Sequence, residues 1–347
     1  MSDAVPVPPA EPRAPHRVAV LGAGSWGTTF AKVLADGGAS VAVWARRQEL
    51  AREIMQSHRN SDYLPGINLP RGIQSSTRLP EVLEGAEQVY LSVPSQALRE
   101  NLRIVRELIP HGVPVVSLMK GVEKGTRYRM SEVIVQELDI DPERVAVVSG
   151  PNLALEIAKE QPTAAVVSSI SFATASEVAL VATNPYFRSF VNTDVIGTEF
   201  GGVLKNLIAV AIGIVDGVGY GENTKASIIT RGLVEMTDFA VAFGARAETL
   251  AGLAGLGDLI ATCESPLSRN NTAGRLLGQG YPYGEVIAQM NQTAEGLSSV
   301  APILELAASR GVEMPIVSQV AEVLAGTLNP RDIAPHLTTD STSPRGE

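Results

Sequence analysis

Residue types and spacings that could carry chemistry fall into three polar groups and one glycine-rich motif in this 347-residue chain. In GGVLKNLIAVAIGIVDGVGYGENTKASIITRG (201–232), Lys205 and Asn206 interrupt an apolar helical run. An ammonium buried without a partner is costly, so such a lysine either meets an opposite charge or points to water. Held by a partner, it can pass a proton to or from an alcohol or carbonyl. In LAGLGDLIATCESPLSRNNTAG (253–274), Asp258 follows Gly252, Gly255 and Gly257, and Ser268-Arg269-Asn270 comes ten residues later. Asp258 is a candidate to orient Lys205, and Arg269 with Asn270 could grip a phosphate. A helix cap and its solvated neighbour would give the same letters. The third group is SLMKG (117–121) with VVSGPNLALE (147–156). Lys120 closes a strand run and suits an anionic substrate, while Gly150-Pro151-Asn152 leads from strand to helix and presents backbone N–H groups and an amide. A surface lysine and a plain turn fit equally well.

A fourth motif precedes these. Gly22-Ala23-Gly24-Ser25-Trp26-Gly27 matches G-x-G-x-x-G, and it follows the apolar run RVAVL (17–21) and opens the helical pattern TTFAKVLADGG. In that setting Gly22 permits a tight turn, Gly24 lets the backbone approach a pyrophosphate, and Gly27 lets the helix pack on the strand. The helix N-terminus supplies free N–H groups to the phosphates. After the next strand, SVAVW (40–44), the chain reads Ala45-Arg46-Arg47, with no acid before Glu49. An NAD site would place an acid there for the ribose 2′-OH, whereas two guanidiniums suit a 2′-phosphate. Arg46 and Arg47 therefore favour NADPH over NADH, against the plain reading of solvated charges at a helix start.

The elements that must hold these groups are legible as patterns. Apolar runs at 17–21, 40–44, 88–93, 114–119, 145–149 and 164–168 alternate with helical periodicities such as 97–109 and 130–140. Strands apolar throughout and alternating with helices predict an α/β domain with a doubly wound, mostly parallel sheet. From about 194 onward strand signals stop, and helices are expected at 197–217, 222–243, 283–290, 296–310 and 315–326, an all-α domain. The expected organisation is a disordered Pro-rich extension (1–16), a Rossmann-like dinucleotide-binding domain (17–193), a helical substrate and catalytic domain (194–335) and a frayed tail (336–347).

Composition narrows the function class. Hydrophobic residues make up 45% and charged residues 19%, enough to build sizeable cores. Lys plus Arg is 28 against Asp plus Glu at 37, a formal charge of −9, which argues against general binding of nucleic acid or anionic membrane. One cysteine, Cys263, excludes an internal disulfide, and with four scattered histidines no metal site is expected. The N-terminus lacks the apolar core of a signal peptide, and the longest apolar stretch, Leu207 to Val215, is short of a membrane span. The expectation is a cytoplasmic enzyme acting on a small molecule, with a homodimer plausible from the apolar helices after 195.

The strings GAGSWGT, SLMKGVE, SGPNLALEIA, GGVLKNLIAVAIGIVDGVGYGENTKASIITRGLVEM and GLAGLGDLIATCESPLSRN resemble the bacterial, soluble type of NAD(P)-dependent glycerol-3-phosphate dehydrogenase, in consistent order from about residue 17 to 328. The resemblance implies reversible NAD(P)H-dependent reduction of dihydroxyacetone phosphate to sn-glycerol 3-phosphate, in the supply of glycerophospholipid synthesis. It implies Lys205 as proton acceptor and donor, with Asp258 orienting it. Lys120, Gly150, Asn152, Lys205, Asp258, Ser268, Arg269 and Asn270 would line the phosphorylated triose. Gly22, Gly24, Ser25, Trp26, Gly27, Arg46, Arg47, Lys120, Ala154, Arg269 and Glu295 would contact the cofactor. Leu153 replaces a more usual Phe, and the Pro-rich N-terminus is extra; neither removes a chemical group. A two-domain Rossmann dehydrogenase for a carboxylate substrate, of hydroxyacid or ketopantoate type, is the alternative enzyme reading. A nucleotide sensor without turnover would lack a proton-transfer residue, and a methyltransferase would give Arg46-Arg47 no role.

Overall fold

The computed structural model describes residues 5–6, 16–266, 268–290 and 294–333, with the backbone alone for Val5, Pro6 and Glu295. The chain divides into two compact units, Met1–Glu199 and Phe200–Glu347. The division falls inside one long helix, Val195–Val218, a few residues beyond the boundary expected from the loss of strand signals.

The first unit is built on a nine-stranded sheet. Its strands are β1 (Val5–Pro6), β2 (Arg17–Leu21), β3 (Ser40–Trp44), β4 (Gln74–Ser76), β5 (Gln88–Leu91), β6 (Val115–Ser117), β7 (Val145–Ser149), β8 (Thr163–Ser168) and β9 (Phe187–Asn192). They lie in the order β1-β9-β8-β7-β6-β5-β2-β3-β4. Neighbours from β7 through to β4 are all parallel, β8 and β9 are parallel to each other, and β7–β8 and β1–β9 are antiparallel. The alternation of side chains along a strand explains why apolar runs were needed here. Val18 and Val20 enter one core with Phe30, Val33 and Leu34 of the helix Ser25–Asp36, while Ala19 and Leu21 enter the opposite core with Leu98, Leu102 and Val105 of the helix Leu98–Val105. Both faces are covered, as expected for a doubly wound sheet.

Three strands, β1, β4 and β9, were not visible as patterns. β4 reads Gln-Ser-Ser and sits at the sheet edge beside β3, where no apolar face is required. In β9, Arg188 is exposed and breaks the apolar run, yet Phe187, Val191 and Asn192 are buried. Within the Pro-rich stretch expected to be featureless, Val5 and Pro6 pair with Val191 and Phe190 of β9. The rest of that stretch up to residue 15, and the expected frayed tail, lie outside the described residues.

The second unit is helical throughout its described residues. Its centre is the helix Val195–Val218, buried continuously from Phe200 to Val215. By length and composition this helix could cross a membrane, which the shorter apolar run Leu207 to Val215 did not suggest; 83% of its most apolar window is buried inside the protein. Glycines set how closely it packs. A Cβ on Gly213 would stand 2.1 Å from the Asn271 carbonyl oxygen, and one on Gly217 would stand 2.2 Å from that of Arg275. From the facing helix, Arg269–Gly278, a Cβ on Gly274 would meet the Val210 oxygen at 2.1 Å, and one on Gly278 would meet that of Ile214 at 2.2 Å. Glycine at four-residue spacing on both helices thus lets the two backbones touch.

Candidate active site

The first unit gathers its candidate residues at the carboxyl ends of the parallel strands. The glycine turn follows β2, Arg46 and Arg47 follow β3, Lys120 lies beyond β6, and Gly150 and Asn152 follow β7. Strand β2 lies between β3 and β5, so the glycine turn stands where the strand order reverses, the place at which open α/β sheets bind ligands.

The turn itself shows why glycine is required. Gly22 has φ +122°, and a Cβ there would lie 2.2 Å from the Ser92 carbonyl oxygen at the end of β5. A Cβ on Gly27 would lie 2.0 Å from the Gly22 oxygen, so this position brings helix and turn together. Around Gly24, by contrast, nothing in the protein lies within 4 Å of a built Cβ, which leaves that side open for a ligand. Gly24 is the N-cap of the helix Ser25–Asp36, and no side chain caps it. The first N–H groups of that helix, those of Ser25, Trp26 and Gly27, are thus free of a side-chain cap and available to an anion. Trp26 packs edge-on to Phe30 at 5.4 Å, and its buried indole N–H has no hydrogen-bond partner among the described residues. An uncapped helix start, an open glycine and an orphaned donor fit a dinucleotide.

The two arginines are not equivalent. Arg47 donates a hydrogen bond to Asp62 and lies over the Tyr63 ring at 5.8 Å. Arg46 is exposed and has no such partner among the described residues.

Lys120 stands three residues past the end of β6, rather than closing the strand, and its ammonium donates to the Gly150 carbonyl at 3.2 Å. Gly150 has φ +136°, and a Cβ on it would press to 3.1 Å from Ala165 Cα. Next to it, both amide atoms of Asn152 are buried, and neither has a partner among the described residues. A buried primary amide offers two donors and an acceptor, so this one is set up for a polar ligand. Ala154 starts the short helix Ala154–Ala158, and its carbonyl accepts from Thr29 Oγ1 at 3.3 Å, which ties this segment to the helix after the glycine turn.

In the second unit Lys205 and Asp258 meet. Their side chains are 9% and 1% exposed, and Lys205 Nζ lies 3.1 Å from Asp258 Oδ1. The reading of Lys205 as a solvent-facing lysine does not hold. A short helical turn of π type, Leu253–Gly257, delivers Asp258 as the first residue of the helix Asp258–Glu264. Gly201 lets that turn seat closely, because a Cβ there would come 2.4 Å from the Ala254 oxygen. Lys205 also donates to Thr262 Oγ1 at 2.6 Å, and that hydroxyl is 3.4 Å from Asp258 Oδ1. Sequence reasoning passed over Thr262, although it stands four residues after Asp258 and hence on the same helix face. Beside it, burial pushes the Cys263 thiol up to about 12, so this cysteine stays protonated.

Ser268, Arg269 and Asn270 begin the helix whose glycines meet the Lys205 helix. Ser268 is buried, and its hydroxyl caps the helix by accepting from the Asn271 N–H at 3.2 Å. Arg269 is exposed in the first turn. Asn270 is buried and accepts from the Gly296 N–H at 3.0 Å. A Cβ on Gly296 would come 2.9 Å from the Asn206 carbonyl oxygen, so Asn206, Gly296 and Asn270 form one packed group. Glu295 opens the helix Glu295–Arg310, and its side chain lies outside the described residues.

Family models match both the helical unit that holds the buried lysine–aspartate pair and the Rossmann-like unit that holds the glycine turn. The model of the NAD-dependent glycerol-3-phosphate dehydrogenase N-terminus matches residues 17–175, and that of its C-terminus matches residues 194–335. The chain belongs to this family. Among glycerol-3-phosphate dehydrogenases [NAD(P)+], that of Leifsonia xyli subsp. xyli is 75% identical over 328 residues, covering 94% of this chain and 89% of the relative. That of Thermobifida fusca is 52% identical over 317 residues, covering 91% of this chain and 94% of the relative. The crystal structure of glycerol-3-phosphate dehydrogenase from Coxiella burnetii is similar at 37% identity and a TM-score of 0.89, over 94% of this chain and 100% of that one.

Proposed function

We propose that this chain reduces dihydroxyacetone phosphate at C2 to sn-glycerol 3-phosphate with NADPH or NADH, reversibly. Beyond family membership, the observation that carries this reading is the buried Lys205 ammonium, held by Asp258 and Thr262. When bound, the nicotinamide supplies the hydride that reaches C2. Lys205 gives a proton to the oxygen on which negative charge develops, and takes it back in the direction of alcohol oxidation. Asp258 fixes the direction of the ammonium and balances its charge. Arg269, assisted by Asn270 and Ser268, holds the phosphate, and that binding energy is spent on orienting C2. Within the first unit, the buried amide of Asn152, next to Lys120 and Gly150, supports a role in binding a polar ligand.

The helix start at Ser25 and the turn Gly22–Gly27 would hold the pyrophosphate. Arg46 and Arg47 would meet the adenosine ribose, a role in keeping with a preference for NADPH, and Trp26 and Ala154 would add further contacts. The place of the enzyme is the cytoplasm, and its product feeds glycerophospholipid synthesis.

A substrate panel tests this reading. Purified protein should oxidise NADPH rapidly with dihydroxyacetone phosphate, and slowly or not at all with a 2-keto acid or ketopantoate. Turnover of the carboxylates in preference to the phosphate would replace it with the alternative dehydrogenase reading.

A further inference from the structure

We propose that Asp62 is a specificity-determining residue of the cofactor site. By pairing with Arg47 it withdraws one guanidinium from the 2′-phosphate of NADPH, and so narrows the difference between NADPH and NADH. The inference rests on the reading that the Arg46-Arg47 turn meets the adenosine ribose.

Three observations carry it. First, adjacent arginines that look interchangeable in the sequence are in different states. Arg47 is hydrogen-bonded to Asp62 and covers the Tyr63 ring, whereas Arg46 has neither kind of partner among the described residues.

Second, the partner is not on a loose loop. Asn60, two residues before Asp62, is fully buried, and its amide donates to the Ala23 carbonyl at 2.9 Å and to Thr28 Oγ1 at 2.8 Å. Its side-chain oxygen accepts from the Tyr63 N–H at 3.2 Å, and its carbonyl accepts from the Leu64 N–H at 2.8 Å. The Ser61 N–H binds Glu53 of the helix Gln48–Ser57 at 3.2 Å. Residues 60–64 are therefore bolted to the glycine turn on one side and to the helix after Arg47 on the other, which fixes where the Asp62 carboxylate stands.

Third, the chemistry of the 2′ position is asymmetric. An acid just past the end of the strand after the glycine turn, here β3, accepts from a ribose 2′-OH, and the sequence has Ala45-Arg46-Arg47 there instead. Asp62 brings a carboxylate to that turn through Arg47. Toward a 2′-hydroxyl this is tolerable or favourable. Toward a phosphate it is a like charge, and it competes for the guanidinium that the phosphate needs. Both Arg47 and Asp62 are about half exposed, so the pair is screened, and its effect is on selectivity more than on stability.

The test is direct titration of wild type, Asp62→Asn and Arg46→Ala with NADPH and with NADH, by calorimetry or tryptophan fluorescence, with thermal melts to confirm folding. Asp62→Asn should raise the NADPH-over-NADH affinity ratio about fivefold, the upper scale of an exposed ion pair. Arg46→Ala should lower that ratio. If Arg46→Ala acts and Asp62→Asn leaves the ratio unchanged, the role of Asp62 is overturned while the site reading stands. If Arg46→Ala also leaves both affinities unchanged, the site reading falls and the role of Asp62 falls with it.

Discussion

Lys205 and Asp258, on different helices, place an ammonium nitrogen 3.1 Å from a carboxylate oxygen in an interior almost closed to solvent. Removing one charge of such a pair leaves the other buried beside a neutral group, which costs about 3–5 kcal/mol in comparable cases. Asp258→Asn keeps the shape and removes the charge. It should lower kcat by about 10²-fold or more, on the scale of lost general acid/base catalysis, because the ammonium loses its fixed direction. NADPH affinity should be unchanged, since the glycine turn belongs to the other unit. Steady-state kinetics with a separate cofactor titration check both parts, and a loss confined to cofactor binding would contradict the assignment.

The contact between Gly213 and the Asn271 backbone predicts a stability effect with a catalytic echo. Gly213→Ala would place a methyl carbon where the Asn271 oxygen leaves 2.1 Å, so the two helices must part. Overpacking of this kind costs about 1–3 kcal/mol. Because the displaced helix starts at Arg269, the KM for dihydroxyacetone phosphate should rise as well. A variant with unchanged melting temperature and KM would show that the helices are not held as described.

Glu235 predicts a pH dependence away from the chemistry. It lies buried on the helix Glu222–Ala242 and accepts from the Ile316 and Val317 N–H groups, at 3.0 and 3.1 Å, where the helix Pro315–Ala325 begins. Burial raises its carboxyl from 4.5 to about 7, against the lowering effect of those two N–H groups. Between these values the folded protein keeps a proton that the unfolded chain has released. The contribution to stability is therefore full below about pH 4.5 and is lost as pH rises through about 7. Relative to Glu235→Gln, the wild-type melting temperature should fall between pH 5 and 8; parallel curves for the two proteins would refute this.

Sequence pattern revealed the parts of this molecule in which one physical requirement dominates. Strands such as Arg17–Leu21 and Val145–Ser149 are buried on both faces, so their composition alone marks them, and the glycine turn between strand and helix admits few other residues. Gln74–Ser76 escaped because an edge strand needs no apolar face. Lys205 and Asp258 were recognisable as candidates, but their meeting depends on how closely glycines let the helices and the turn before Asp258 approach, which no local pattern encodes. Arg46 and Arg47 looked alike for a similar reason. What separates them is Asp62, brought to Arg47 by a turn that Asn60 anchors from behind.

In the proposed reaction Lys205 is the proton donor to dihydroxyacetone phosphate. The NADPH absorbance decay of Lys205→Ala at saturating substrate, alongside wild type and with NADPH binding measured separately, tests this role. The kcat should be about 10²–10⁴-fold lower, with cofactor affinity retained. Turnover close to wild type would contradict it.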